Sequence, residues 1–256
     1  MPKIIISGCN GKMGQTVATI CGSKPDLKIV AGFDQNAVKL NDYPVYSEPL
    51  EFSGQADVIV DFSSPDFLDR LLSYALRFKI PCVLCTTGYS KEQLTLIETT
   101  SKLIPIFKSG NMSVGVNLLT SLVKKAAAVL GEDFDVEILE SHHNQKVDAP
   151  SGTALMLADA AAAGLPHESE YVYDRHSLRQ KRKKNEIGIS SIRGGSIVGE
   201  HEVIFAGMDE VVVFKHTAYS RSIFANGAVT AAEYMSKAKE PRLYDMNDVL
   251  LEVLSK

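Results

Sequence analysis

The densest run of reactive side chains is Glu140 to Ala154, ESHHNQKVDAPSGTA. Two adjacent histidines, His142 and His143, stand with Lys146 and the carboxylates of Glu140 and Asp148 just before Ser151-Gly152-Thr153. Histidine exchanges a proton near neutral pH. Lysine donates a proton or holds a carboxylate. Ser151, Gly152 and Thr153 at a helix start offer hydroxyls and backbone amides to an anion. The segment reads as a place where an acidic substrate is held and protonated, with a structural loop as the plain alternative. Neighbouring histidines on a strand point to opposite faces and do not easily share a metal, so no metal is expected.

A second constellation lies near the start. Gly8-Cys9-Asn10-Gly11-Lys12-Met13-Gly14 follows a strand pattern and opens a helix, in the spacing G-x-x-G-x-x-G. Glycines there let backbone approach a pyrophosphate, which the helix N-terminus attracts. Asp34 closes the next strand pattern, about twenty residues on, where a carboxylate accepts from the ribose hydroxyls of an adenosine. The pair predicts a dinucleotide site. Gln35, not an arginine, follows Asp34. A carboxylate repels a 2′-phosphate, so NADH is favoured over NADPH, with Lys39 near enough to leave dual use open. Three polar strand ends, Phe62-Ser63-Ser64-Pro65, Thr86-Thr87-Gly88 and Ser109-Gly110-Asn111-Met112, fall where ligands bind in open α/β sheets.

These residues need elements to position them. Strand patterns at Lys3–Ser7, 27–33, 57–62, 81–85 and 104–107 alternate with helical patterns at 12–23, 65–78 and from Ser90, whose Gln93 stands at capping-box spacing. That rhythm predicts a parallel sheet covered on both faces. Beyond residue 113 it changes. A helix over 116–130 precedes a strand at 135–140 and a helix at 153–163. Strands at Glu186–Arg193, 201–206 and 210–217 follow, then helices at 223–237 and 245–254. The second part reads as an antiparallel or mixed sheet.

Composition narrows the function. The chain has 256 residues, 45% hydrophobic, with 27 basic against 31 acidic side chains and a net charge of −4. That balance argues against nucleic acid as the main partner. The four cysteines, Cys9, Cys21, Cys82 and Cys85, do not make a disulfide framework, and Cys82-x-x-Cys85 has no second pair to complete a zinc site. The opening MPKIIISG lacks a signal-peptide pattern, and no apolar run is expected to reach the roughly 18 residues of a membrane span, so the chain reads as cytoplasmic with no membrane partner. The basic run 175–184, RHSLRQKRKK, reads as a solvated loop or as a mobile cationic flap that attracts an anionic substrate.

The segment ESHHNQKVDAPSGTA fills every fixed position of Glu-x-His-His-x-x-Lys-x-Asp-Ala-Pro-Ser-Gly-Thr-Ala. With GCNGKMG, IRGGSIVGEHEVIF from Ile192 and SRSIFANGAV from Ser220, the chain resembles the 4-hydroxy-tetrahydrodipicolinate (dihydrodipicolinate) reductases of bacterial lysine biosynthesis over essentially its whole length. The resemblance implies an α/β chain: a Rossmann-type parallel-sheet domain over 1–112 with 222–256, and an α+β domain with a mixed or antiparallel sheet over 113–221, for substrate binding and oligomerisation. It implies a cytoplasmic homotetramer that passes hydride from NADH or NADPH to a cyclic imine dicarboxylate. By motif match, His142 exchanges the proton and Lys146 is the second proton donor. His143, Lys146, Ser151, Gly152 and Thr153 hold the substrate carboxylates. Gly8, Cys9, Asn10, Gly11, Lys12, Met13, Asp34, Cys85, Thr86, Thr87, Ser109, Gly110, Asn111 and Met112 contact the cofactor.

The run 175–184 departs from the family's usual loop, which carries Gly-x-Arg. Arg193-Gly194-Gly195 and Gly199-Glu200-His201 match a family motif and are expected to be structural or interfacial, with His201 a satisfied histidine. The competing readings are another two-domain reductase of an amino-acid-derived substrate and a non-catalytic NAD sensor. A DNA-binding sensor would carry a basic helix-turn-helix, and none is legible.

Overall fold

The structure, a computed structural model, describes residues 1–177 and 179–254. Leu178, inside the basic run, and residues 255–256, at the end of the expected first domain, lie outside the described residues. In chain order the elements are β1 (Lys3–Ser7), α1 (Lys12–Gly22), β2 (Lys28–Phe33), β3 (Val45–Tyr46), β4 (Val58–Asp61), α2 (Leu68–Phe78), β5 (Cys82–Leu84), α3 (Lys91–Ser101) and β6 (Ile106–Lys108). Then come α4 (Val114–Leu130), β7 (Asp135–His142), α5 (Gly152–Ala162), β8 (Glu170–Val172), β9 (Glu186–Arg193), β10 (Gly199–Ala206), β11 (Val211–Ala218), α6 (Ser222–Met235), β12 (Leu243–Tyr244) and α7 (Met246–Leu254). The chain divides into two compact units, Met1–Ser113 with the segment from Ser222 onward, and Val114–Arg221.

The first unit is a parallel sheet in the order β12-β6-β5-β4-β1-β2-β3. Its inner strands are continuous β-branched runs because both faces are covered. Ile4, Ile5, Ile6, Val58, Ile59 and Val60 have no exposed surface, and burying each such side chain contributes on the order of 2 kcal/mol. The strand order reverses between β1 and β4, so a crevice opens beyond their carboxyl ends. The predicted helix at 65–78 begins as a single 3-10 turn, Pro65–Phe67, before α2. α3 carries the capping box read from Ser90 and Gln93: the Ser90 hydroxyl accepts from Gln93 N at 3.3 Å and Gln93 Oε1 accepts from Ser90 N at 2.9 Å.

The second unit is a mixed sheet, β11-β10-β7-β9-β8, in which β10 runs antiparallel to β7 and β11, while β9 runs parallel to β7 and β8. Its core gathers Val136 and Ile138 from β7, Val203 and Phe205 from β10, Leu119 and Val123 from α4, and Leu157 from α5. Val114–Asp133 is long and apolar enough to match a membrane span, contrary to the sequence expectation that no run reaches that length. Leu119, Val123 and Ala127 pack into this core, while Leu118, Leu122 and Val129 are exposed. The basic run also resolves. Arg175 pairs with Glu137 and Glu186, each at 2.7 Å; Arg182 pairs with Asp135 at 2.7 Å and Glu137 at 3.2 Å; Lys183 reaches Glu170 at 3.3 Å. These three cations are committed to the unit's own carboxylates, while Arg179 and Lys181 of the same run stand exposed.

Candidate active site

The glycine turn follows β1 at the crevice. Gly8 sits at φ +72, and a Cβ there would stand 2.6 Å from the Phe62 carbonyl oxygen beyond β4. A Cβ on Gly14 would stand 2.1 Å from the Gly8 carbonyl oxygen, so only glycine lets α1 begin this close to the turn. Gly11 caps α1 without any side-chain hydrogen bond, and no acid lies in the first turn. The N-terminal amides and the positive end of the helix dipole are thus directed to an anion rather than to a side chain. Gly8, Gly11, Asp34, Gln35, Phe62 and Ser63 line a cleft of about 230 Å³.

Asp34, at the end of β2, accepts from Asn10 N and Asn36 N, both at 3.0 Å, which fixes its carboxylate at the cleft wall. The Asn10 amide donates to Asn36 O at 2.6 Å and Val38 O at 2.9 Å, tying down the loop after Asp34. Across the switch point, buried Asp61 accepts from Ser63 Oγ at 2.6 Å and Thr86 Oγ1 at 2.7 Å. Burial pushes its carboxyl above the ordinary carboxylate range, against the hydrogen bonds from Ser63 and Thr86. The strand ends after β4 and β5 are therefore joined through Asp61, which lies outside the sequence motifs. Ser109 Oγ donates to Asn111 O at 2.8 Å, and Met112 is buried where Gly227 of α6 comes close to its carbonyl. Lys12, Thr87 and Gly110 are exposed. Burial pushes the Cys9 thiol to about 12 and the Cys85 thiol well above its ordinary value, so neither supplies a thiolate.

The second cluster grows from the sheet of the other unit. Alternate β7 residues Val136, Ile138, Glu140 and His142 point inward, as do Gly199, His201, Val203 and Phe205 of β10. Toward one end of that face the apolar row gives way to Glu140, His142 and His201. The register places His201 opposite Glu140, and Arg193 of β9 opposite His142. Glu140, with no exposed surface, takes His142 Nδ1 at 2.6 Å and Arg193 NH1 at 2.8 Å on Oε2, and Arg193 NH2 at 2.7 Å and Ser151 N at 3.1 Å on Oε1. Desolvation raises its carboxyl, but hydrogen bonds from Arg193, Ser191 and His142 outweigh it and leave the group at about 2. His201 Nε2 lies 2.8 Å from Ser151 Oγ, which also caps α5 by accepting from Ala154 N at 3.1 Å. Burial, with His142 edge-on at 5.1 Å, lowers His201 to about 4. Lys146, in the loop after β7, places Nζ 2.7 and 2.9 Å from the two Asp148 carboxylate oxygens.

The arrangement can exchange a proton at one imidazole and present an ammonium and a helix N-terminus to an acid. His142, Ser151 and the start of α5 come together as the motif suggested. The Ser151 hydroxyl is engaged by Ala154 N and His201, and its amide by Glu140, so Ser151 is tied into the cluster on both sides. Arg193 and His201 were expected to be structural or interfacial. The register brings Arg193 directly onto Glu140 and His201 onto Ser151, so His201 is the satisfied histidine the sequence suggested and both stand within the cluster. Sequence reasoning gave Glu140 no role, although its spacing of two from His142 on a strand puts both on one face.

Known proteins resemble the chain in sequence and in fold. The family model described as "Dihydrodipicolinate reductase, N-terminus" matches residues 2–112, and "Dihydrodipicolinate reductase, C-terminus" matches 115–250. A 4-hydroxy-tetrahydrodipicolinate reductase of Clostridium tetani is 52% identical over 250 residues, 98% of this chain and 97% of the relative. One from Caldanaerobacter subterraneus subsp. tengcongensis is also 52% identical, covering 98% of each chain. Among solved structures, a dipicolinate-bound dihydrodipicolinate reductase from a Paenisporosarcina species superposes with a TM-score of 0.80 at 25% identity, covering 96% of this chain and 99% of that one. With both halves matched and half of all positions shared with full-length relatives, this chain belongs to the dihydrodipicolinate reductase family.

Proposed function

We propose that the chain catalyses the NAD(P)H-dependent reduction of the cyclic imine dihydrodipicolinate, formed from 4-hydroxy-tetrahydrodipicolinate, to tetrahydrodipicolinate in lysine and diaminopimelate biosynthesis. The observation that carries this is the buried Glu140–His142–Arg193 cluster at the start of the Ser-Gly-Thr helix, within a chain 52% identical to reductases of that name. The non-catalytic sensor reading is not favoured, since family membership does not call for it and cofactor sensing has no use for the cluster.

The uncapped start of α1, the Gly8 turn and the fixed Asp34 carboxylate fit a dinucleotide. The backbone from Gly8 to Met13 would hold its phosphates and Asp34 its adenosine ribose. Cys85, Thr86 and Thr87, with Ser109 to Met112, would line the nicotinamide end. When bound, the reduced cofactor supplies hydride. Asp34 followed by Gln35 supports NADH as the better donor.

Reduction of a conjugated imine leaves electron density that must be met by a proton. His142 delivers it, and Lys146 is the second donor. His143, Lys146, Ser151, Gly152 and Thr153 hold the two carboxylates. For Lys146 this requires trading Asp148 for the substrate. The first unit binds the cofactor, and the 114–221 unit binds substrate and joins copies into a homotetramer. Exposed Val211 and Val213 on edge strand β11 support that last reading. The protein is placed in the cytoplasm, without nucleic-acid or membrane partners.

The test is oxidation of NADH, and separately NADPH, with substrate generated in place by the preceding synthase from pyruvate and aspartate semialdehyde. Synthase-dependent oxidation, faster with NADH, is expected. Folded protein that binds NADH but oxidises neither cofactor would overturn the assignment.

A further inference from the structure

Glu140 is the most deeply committed ionisable group of the cluster. Its oxygens receive His142, both terminal nitrogens of Arg193 and the Ser151 amide, and no surface remains for a ligand. It therefore does not touch substrate, and whatever it does for the reaction passes through the groups it holds, of which His142 is the one that exchanges a proton. A buried carboxylate is costly unless paired and hydrogen-bonded. The bidentate Arg193 supplies that pairing, so the strand end carries a neutral pair rather than a lone anion.

The contact has a chemical consequence. An ionised carboxylate only accepts hydrogen bonds, so the hydrogen of the 2.6 Å contact sits on His142 Nδ1. In the neutral ring the free lone pair is then on Nε2. That nitrogen lies beside Gly199, where a Cβ would stand 3.1 Å away, so the missing side chain leaves its edge open. Arg193 has a further contact: NH2 donates to the Asp148 carbonyl at 2.6 Å, and the Asp148 carboxylate holds Lys146. One guanidinium thus braces both the histidine and the loop that carries the lysine.

We propose that Glu140 is a positioning residue for the proton transfer: it fixes His142 in the Nδ1-protonated form so that Nε2 is the atom that exchanges the proton, and Arg193 holds Glu140 in that role while anchoring the Lys146 loop. The proposal rests on the reading of His142 as the proton carrier. In the step, the Nε2–H bond breaks and the proton joins the reduced substrate. The imidazole keeps its Nδ1 hydrogen on Glu140, which stays ionised, and water restores the proton to Nε2.

The experiment compares Glu140→Gln, Glu140→Asp and His142→Gln in the synthase-coupled assay, with isotope-labelled histidine to read the ring tautomer by NMR. Glu140→Gln is expected to lower kcat on the order of 10²-fold, the scale of general acid–base help, with KM for NADH unchanged. Its pH–rate profile moves to lower pH. The groups around the imidazolium are Glu140 on its own strand, Arg193 on β9, His201 on β10, and Lys146 and Asp148 in the following loop, so loss of Glu140 leaves Arg193 as an uncompensated like charge. Glu140→Asp recovers part of the rate. In the unsubstituted protein, neutral His142 reports a hydrogen on Nδ1. An Nε2-protonated neutral ring there overturns the proposal whether or not the variants fold. Loss of activity in His142→Gln with kcat within about twofold and an unmoved pH profile in Glu140→Gln overturns the positioning role and leaves the reaction assignment standing. Full activity in both overturns the proton-carrier reading and the proposal with it.

Discussion

Gly199→Ala places one methyl group against the proposed proton-exchanging atom. The new Cβ would lie 3.1 Å from His142 Nε2 and 3.4 Å from Cδ2. Comfortable contact lies at about 3.5 Å or more, so something must yield by roughly 0.4 Å. The backbone of Gly199 is held in β10 opposite Ala218, so the ring yields. Its retreat is limited by the 2.6 Å bond to Glu140 and by His201 edge-on at 5.1 Å. A misplacement of about 1 Å costs on the order of 10²-fold, so 0.4 Å should cost roughly 5- to 10-fold in kcat. The effect on stability is small. Overpacking costs about 1 kcal/mol or more, while replacing glycine by alanine at an ordinary φ returns about 0.4–1 kcal/mol through the unfolded chain. The midpoint of thermal unfolding should therefore move by no more than about 4 °C. NADH affinity, set in the other unit, should stay the same. The assay is synthase-coupled oxidation alongside a thermal melt and NADH titration. Unchanged kcat in a folded Gly199→Ala protein would refute the placement of Nε2 at the reacting edge.

Three further outcomes are expected. His201 is lowered by burial, and next by His142, from 6.5 to about 4. A group whose folded value is depressed resists protonation in the fold, so its contribution is complete above pH 6.5 and is lost as pH falls toward 4, by up to about 3 kcal/mol. Urea midpoints should drop across that window and the drop should flatten in His201→Gln; identical slopes in both proteins would contradict the burial argument. Lys146→Ala should collapse turnover while NADH affinity, measured by fluorescence titration, remains near that of the unsubstituted chain; an equal fall in both would break the division of labour between the units. Asp34→Ser combined with Gln35→Arg removes the carboxylate at the ribose corner and adds a guanidinium, so the NADPH-to-NADH ratio of kcat/KM should rise at least tenfold, and a fixed ratio would show that Asp34 does not set cofactor choice.

Local features of the molecule were legible from residue order alone. The glycine turn with Asp34 and the capping box at Ser90 are set within a few residues or one βαβ unit, and the structure reproduces them. The short strands β3, β8 and β12 were not legible, because, unlike the comparably short β5 and β6, they do not lie in an apolar run flanked by helical patterns. The polar cluster was half legible. Glu140 and His142 share a face by strand alternation, but Arg193 and His201 reach them only through the registers of β9 and β10 against β7. Register depends on how separate strands pair, which spacing within one strand does not reveal. The basic run shows the same limit. Asp135 and Glu137, which pair with Arg175 and Arg182, lie on β7, 38 to 47 residues earlier in the chain, so those pairs are a tertiary fact.

The most direct measurement of the central claim follows a label rather than a rate. Reduced cofactor deuterated at its hydride-donating carbon is incubated with the chain, the preceding synthase, pyruvate and aspartate semialdehyde, and the product is examined by mass spectrometry. The account predicts tetrahydrodipicolinate carrying one cofactor-derived deuterium, dependent on the synthase and lost in His142→Gln. Cofactor oxidised without label in that product, or no synthase-dependent product from a chain that binds NADH, would contradict it.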